Sequence, residues 1–182
     1  MRLSIIIFIL TLTSCNESKR KTDKHILDFG VFTIETPNNW KQIKEQIPYD
    51  SYVGSIAVDC IDTIYFDLGW YSNDLTEYVK MNEGSTIEFF LKEGRDNHII
   101  KGDSLSIDSL VKSKFIWDTI DHRTAKIVSA KRPGIGITGI YIDSLWKSGD
   151  NTDKFCLYGI NLKTTTEKEF LESLRTLKFV RK

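Results

Sequence analysis

The sequence predicts a single α+β domain over residues 26–182, with a mostly antiparallel sheet of seven to eight strands, a C-terminal helix covering it and one or two short central helices. Three observations predict it. Short runs rich in β-branched and aromatic residues recur along the chain and are separated by turn residues. One segment near the C-terminus carries a helix-start signature followed by apolar residues at helical spacing. Only three prolines are present in 182 residues and no Pro/Gly/Ser linker divides the chain, so the roughly 155 residues that follow Ile26 form one core rather than two.

The strand signals come in order. Ile26 to Phe29 and Val31 to Glu35 flank Gly30, and the segments YVGSIAVDCI, TIYFDLGW, KFIWDTI, TAKIVSA, GITGIYIDSL and KFCLYGINL follow. Short connections such as Asp121-His122-Arg123 and the KSGDNTD loop favour hairpins, and hence antiparallel pairing.

For the C-terminal helix, Thr166 is the expected N-cap with Glu169 three residues on, and Phe170, Leu171, Leu174 and Leu177 form its apolar face. A second helical region is expected from Asp74 to Glu93, with Asp74/Glu77 and Ser85/Glu88 as box-like starts and Gly84 and Gly94 as stops. Ser104 to Lys114 adds another turn or two of helix to the expectation.

The chain begins with Arg2 and an apolar run, Ile5 to Leu12, far short of the about 20 residues a spanning helix needs. This is the form of an export signal. Leu12-Thr13-Ser14-Cys15 resembles the bacterial lipobox, in which an aliphatic and two small residues precede the cysteine that receives lipid. The resemblance implies that residues 1–14 are cleaved, that Cys15 is lipidated, and that 15–25 is a polar tether. Acyl chains at about 0.8 kcal/mol per buried CH₂ would hold such a protein on a bilayer. In some Bacteroidota-type lipoproteins an acidic run after the cysteine directs export to the cell surface; Asn16-Glu17-Ser18-Lys19-Arg20 lacks it. A periplasm-facing anchor in the cell envelope is therefore implied.

The stretch FTIETPNNW, Phe32 to Trp40, resembles the start of PsbP-like domains, which likewise end in a strand meander, an amphipathic helix and a short strand; Thr166 to Leu177 with Lys178-Phe179 fits that ending. The resemblance implies a fold whose members are largely binding and assembly modules, and it brings no catalytic residues. The residues have their own logic. Phe32 and Ile34 face the core, Pro37 ends the strand, and Trp40 packs over its end.

Candidates for chemistry are few. Gly134 to Gly139, GIGITG, matches G-x-G-x-x-G, but a dinucleotide loop must open a helix and this one runs into Ile140-Tyr141-Ile142 as a strand. No nucleotide or other cofactor is expected, and the glycines read as a bend or close strand contact. Twenty-five basic residues balance twenty-five acidic ones without a basic, aromatic-interleaved cluster, so no nucleic acid is expected as a partner.

Cys60 and Cys156 lie on the apolar parity of their strands, and both a disulfide between them and two independent core thiols are open. His25, His98 and His122 are the only histidines, with no two at metal-ligand spacing, so no metal site is expected. Asp59 and Asp67 share a parity opposite the apolar residues and read as a solvated sheet face, with Asp62 in a turn.

The function expected is a non-enzymatic, membrane-anchored binding or assembly module with a protein partner. Tyr49, Tyr52, Trp70, Tyr71 and Trp146 are its candidate contacts. An immunity or inhibitor lipoprotein acting on a periplasmic toxin is an alternative of the same class. A small envelope hydrolase using His98 or His122 is the alternative of another class.

Overall fold

A computed structural model describes residues 23–43, 52–80, 86–88 and 111–180 of the chain. The architecture is mostly antiparallel β, with a seven-stranded sheet, a three-stranded sheet and, among the described residues, one C-terminal helix. The expected N-terminal leader, Cys15 and the tether up to residue 22 lie outside the described residues.

The small sheet is formed by β1 (Lys24–Asp28), β2 (Phe32–Pro37) and the C-terminal β12 (Lys178–Phe179), in the order β1-β2-β12. Gly30, at φ 79°, turns the chain between β1 and β2, and its N–H donates to Asp28 Oδ1 at 2.7 Å. The large sheet has the order β3-β4-β5-β11-β10-β9-β8. Its strands are β3 (Lys41–Ile43), β4 (Tyr52–Ala57), β5 (Thr63–Gly69), β8 (Ser113–Ile120), β9 (Arg123–Ala130), β10 (Ile137–Ser148) and β11 (Asn151–Ile160). Every pairing is antiparallel. The strand runs seen in the sequence are all present, and the short β3 adds an edge that they did not announce.

The two sheets and the helix α1 (Thr164–Leu174) meet on one face of the large sheet. Phe32 is fully buried there, stacked on Phe29 at 4.6 Å and edge-on to Phe66 and Phe155 at 5.1 and 5.0 Å. Ile34, Ile56, Ile64, Ile140, Leu157, Phe170, Leu174 and Leu177 complete this layer with no exposed surface. Each such side chain contributes about 1.5–3 kcal/mol on burial. Trp40 is buried just beyond Pro37, 6.3 Å from the Phe170 ring, so it is a core residue.

Helix α1 starts three residues before the expected position. Lys163 stands at its N-cap without a side-chain cap, and Thr166 is buried inside the first turns. The capping box is replaced by two carboxylates from and to the sheet. Asp62 Oδ2 accepts the Lys163 N–H at 3.2 Å, and Glu167 Oε1 accepts from Ala130 N–H and Thr138 Oγ1 at 3.1 and 3.0 Å. At the other end Thr176 Oγ1 accepts the Glu35 N–H at 2.8 Å, joining the helix exit to β2.

The expected central helix is corrected where it is described. Tyr78–Lys80 (β6) and Thr86–Glu88 (β7) pair as antiparallel strands. Residues 81–85 and 89–93 of that expectation, and 104–110 of the next, lie outside the described residues, while Ser113 and Lys114 open β8. Asp74 does make the cap-type bond that suggested a helix start, accepting the Thr76 N–H at 2.9 Å, but the chain continues extended. Asp and Asn side chains form this bond in turns as readily as at helix ends.

The glycine motif behaves as strand chemistry. Gly134 and Gly136 have φ values of 75° and 132°, and the Gly136 N–H donates to Asn161 Oδ1 at 2.9 Å, leading directly into β10. A Cβ on Gly139 would meet Leu157 O and stand 2.8 Å from Tyr158 Cα of the neighbouring strand. Gly139→Val should therefore lower stability by about 1–3 kcal/mol by overpacking against backbone that cannot yield. Urea unfolding is the check, and an unchanged midpoint would contradict the close strand contact.

Candidate functional site

The opposite face of the large sheet is only partly covered. The segment from Ser72 to Glu77, which follows the Trp70-Tyr71 turn at the end of β5, lies across it as a strap. Ser72 is buried, with its hydroxyl 3.1 Å from Asp67 O, 3.3 Å from Gly69 O and 3.1 Å from Lys154 O. Asn73 Oδ1 accepts the Leu75 N–H at 2.7 Å and holds Leu75 at φ 58°, a left-handed conformation that costs a non-glycine residue about 1–2 kcal/mol. The cost is offset by placing the Leu75 side chain in a second apolar cluster with Val128, Tyr141 and Cys156.

A buried cation fastens the same strap. Lys126 of β9 donates from Nζ to Asp74 O at 2.8 Å and lies 5.4 Å from the centre of the Phe115 ring. Burial pushes its pKa below that of an ordinary lysine, against the raising effect of the Asp74 charge. At the strap's far end Glu77 accepts the Lys112 and Ser113 N–H groups at 3.3 and 2.7 Å.

Between the strap and β10–β11 lies a recess of about 420 Å³ lined by Trp70, Tyr71, Ser72, Asn73, Asp74, Tyr141 and Lys154. A register shift in β10 between Ile142 and Trp146 shapes its rim. Such bulges re-aim side chains, and here Asp143 Oδ1 accepts from Tyr141 OH at 2.8 Å and stands 3.9 Å from Lys154 Nζ. Burial, followed by the Asp143 hydrogen bond, raises the Tyr141 pKa far above the ordinary phenol value. Burial also raises that of Asp67, so this carboxylate belongs to a shielded site and not to the solvated face expected of it.

The expected contact residues divide sharply. Trp70 is 46 % exposed and Tyr71 93 % exposed, side by side on the rim. Tyr52 instead packs against Phe66 and donates its hydroxyl to Phe29 O, and Trp146 packs edge-on to Phe179 with its Nε1 buried, so both belong to the core layer. Tyr49 and His98 lie outside the described residues. His122 is exposed at the β8–β9 hairpin tip, at φ 63° beside Asp121 at 47°, the paired positive values of a type I′ turn. Asp121 gives its carboxylate to Arg123 at 2.7 Å and to the Phe179 N–H at 3.0 Å, and the His122 ring has no partner among the described residues.

Cys60 and Cys156, the cysteines among the described residues, are both free and their environments differ. Cys156 is buried as its parity suggested, and burial, followed by the Asp67 charge, pushes its pKa up to about 12. Cys60 is exposed, because β4 ends at Ala57 and the alternation on which its expected burial rested stops there. It sits in a turn whose Ile61 and Asp62 N–H groups donate to Asp59 Oδ1 at 2.7 and 2.8 Å. Lys163 Nζ closes on Asp59 Oδ2 at 2.6 Å, and these bonds, that to Lys163 foremost, lower the Asp59 pKa from 3.8 to about 2. Among the described residues no group of three or more His, Cys, Asp or Glu side chains is placed to hold a metal ion.

Sequence reasoning missed the strap, Lys126 and the exposed apolar residues Tyr65, Ile116 and Trp117. Asn73-Asp74 was the available signal for the strap, since two consecutive Asx residues favour turns over a helix interior.

Two solution consequences follow from these environments. Maleimide should label Cys60 in the native protein and Cys156 only after unfolding, as read by mass spectrometry of the labelled peptides; equal rates would contradict the burial of Cys156. The raised Cys156 pKa stabilises the fold fully below pH 9.0, the value without burial, and that contribution is lost as pH rises toward about 12. A Cys156→Ser variant should show a shallower loss of thermal stability over that alkaline range. Compared with known proteins, the chain matches no family model, no curated protein and no solved structure.

Proposed function

We propose that the protein is a lipid-anchored lipoprotein of the bacterial cell envelope that acts as a non-enzymatic binding or assembly module for a protein partner. In this reading Cys15 carries the lipid, the polar tether spaces the domain from a periplasm-facing membrane surface, and the domain is PsbP-like. The order of a strand meander, helix α1 and the short β12 supports that resemblance.

The observation that carries the binding role is the pair Trp70 and Tyr71. Two large aromatic side chains stand exposed at the rim of a recess, on a turn that is fixed from beneath by Ser72 and by the strap. Aromatic side chains on a rigid support are the residues that dominate protein–protein binding energy, since they bury much area at little entropic cost. The recess offers polar partners in Asn73, Asp74 and Lys154 around them. The one phenol that lines it besides Tyr71, Tyr141, is kept protonated at neutral pH, and the Cys156 thiol and Lys126 amine are buried beneath the strap and do not line the recess.

Trp70→Ala and Tyr71→Ala together should abolish photo-crosslinking to the partner from a probe at position 73, while leaving the thermal unfolding midpoint within about a degree or two, as expected for exposed positions. A crosslinked partner that persists in the double variant would sink the assignment of this surface. The anchor has a separate test. Cys15→Ala should move the protein from the membrane to the soluble fraction and remove acyl mass, and a membrane-bound variant would refute the lipid on Cys15.

A further inference from the structure

Among the described residues β8 closes one end of the large sheet and pairs only with β9. Its eight residues keep an unbroken register from Ser113↔Ala130 to Ile120↔Arg123, with no bulge and no proline. Proteins ordinarily blunt such an edge, because its unpaired N–H and C=O groups are a template for another strand. Here the edge instead presents large apolar side chains, Ile116 at 55 % and Trp117 at 46 % exposure.

The hairpin fixes which backbone groups face outward. Ile120 and Arg123 close a two-residue turn, so the even-numbered residues of β8 bond to β9 and the odd-numbered ones turn to the open edge. The ends of the strand agree, for Ser113 N–H donates to Glu77 Oε2 and Thr119 N–H to Asp118 Oδ1, both at 2.7 Å and both outside the β8–β9 ladder. Phe115 and Trp117 between them keep their N–H and C=O on the open edge.

The sequence of this edge is complementary to itself when reversed. Around Ile116, Lys114-Phe115-Ile116-Trp117-Asp118 read backwards sets Lys114 opposite Asp118, Phe115 opposite Trp117, and Ile116 opposite Ile116. We propose that the occupant of this edge is a second copy of the chain, added antiparallel about a two-fold axis at Ile116, so that two seven-stranded sheets become one continuous sheet.

Each part of the geometry has a role in that pairing. Phe115 exchanges both backbone hydrogen bonds with the partner's Trp117, and the symmetry repeats the exchange, as an isologous contact requires. Lys114 is exposed and has no ion-pair partner among the described residues, which leaves it free for the partner's Asp118. Asp118 is already held by Arg175 of α1, so the incoming lysine completes a charge cluster rather than meeting a mobile side chain. On the same side, a groove of about 630 Å³ between β8–β9 and α1 is lined by Ile116, Ile127 and Leu171 and receives the Ile116 side chains. On the other side Phe115 and Trp117, 6.1 Å apart and edge-on, meet their reversed counterparts.

The test is a cysteine scan in the full-length protein, in native membranes and in mild detergent, with the parent chain as control. Directly opposed residues of a non-hydrogen-bonded pair have Cβ atoms about 4.5–5.5 Å apart, within reach of a disulfide after small adjustment. Ile116→Cys should give a covalent dimer on non-reducing gels under mild oxidation. Lys114→Cys should crosslink with co-expressed Asp118→Cys and far less with itself, and Asp150→Cys, exposed in the β10–β11 turn away from this edge, should remain monomeric. Light scattering in detergent should report a dimer that Trp117→Lys converts to monomer, with thermal stability retained. A parent protein that is monomeric, or an Ile116→Cys form that crosslinks no better than Asp150→Cys, would overturn the proposal. So would a crosslink from Ile116→Cys to a different protein, since the edge would then serve a foreign strand.

Discussion

The burial of β2 is the constraint on which the rest of the structure depends. Phe32 and Ile34 enter the core from a strand that is itself the centre of the small sheet, and they meet both the large sheet and the elements that close the chain. Without β2 the large sheet would expose Phe66, Phe155 and Leu157 on one face, and helix α1 would have a sheet to cover but no neighbour for its exit. The fold is thus two layers joined through one strand, and apolar burial at about 25 cal/mol per Å² is the force that joins them.

The second face of the large sheet follows a different rule. It is held down by polar fastenings, namely the Ser72 hydroxyl among carbonyls, the Lys126 ammonium on Asp74 O and the Glu77 carboxylate on two N–H groups. Buried hydrogen bonds of this kind add modest net stability but are expensive to leave unmade, so they fix position more than they drive folding. Such an arrangement holds the turn that carries Trp70 and Tyr71 in one orientation. The small apolar cluster beneath the strap supplies the remaining attachment.

Much of the fold was legible because strand parity and turn chemistry are local. The runs around Ile64, Ile127, Ile140 and Leu157 are dense in β-branched and aromatic residues, and GIGITG reads as strand chemistry because a strand pattern follows it. Failures came where one local signal serves two structures. Asp74 caps an N–H in an extended strap as it would at a helix start, and Thr166-x-x-Glu169 resembles a capping box although the start of α1 is set by Asp62 from across the molecule and by Glu167 reaching from the helix to the sheet. Cys60 was assigned a face by extending the β4 alternation past the residue where the strand ends. At the candidate site the exposed pair Trp70-Tyr71 was anticipated, but Tyr52 and Trp146 could not be told from it, since aromatic residues in strands look alike until the layer above them is known.

The bond between Glu35 and Thr176 joins residues 141 positions apart, and β12 reaches β2 from the last stretch of the chain. The small sheet is therefore completed only when β12 reaches β2. Phe32 packs on Phe29, Phe66 and Phe155, and β12 adds Phe179 at 6.4 Å as a further neighbour; non-local pairing of this sort is intrinsically slow. β2 and β12, far apart in sequence, thus become neighbours in one small sheet, which clasps the early and late parts of the domain together.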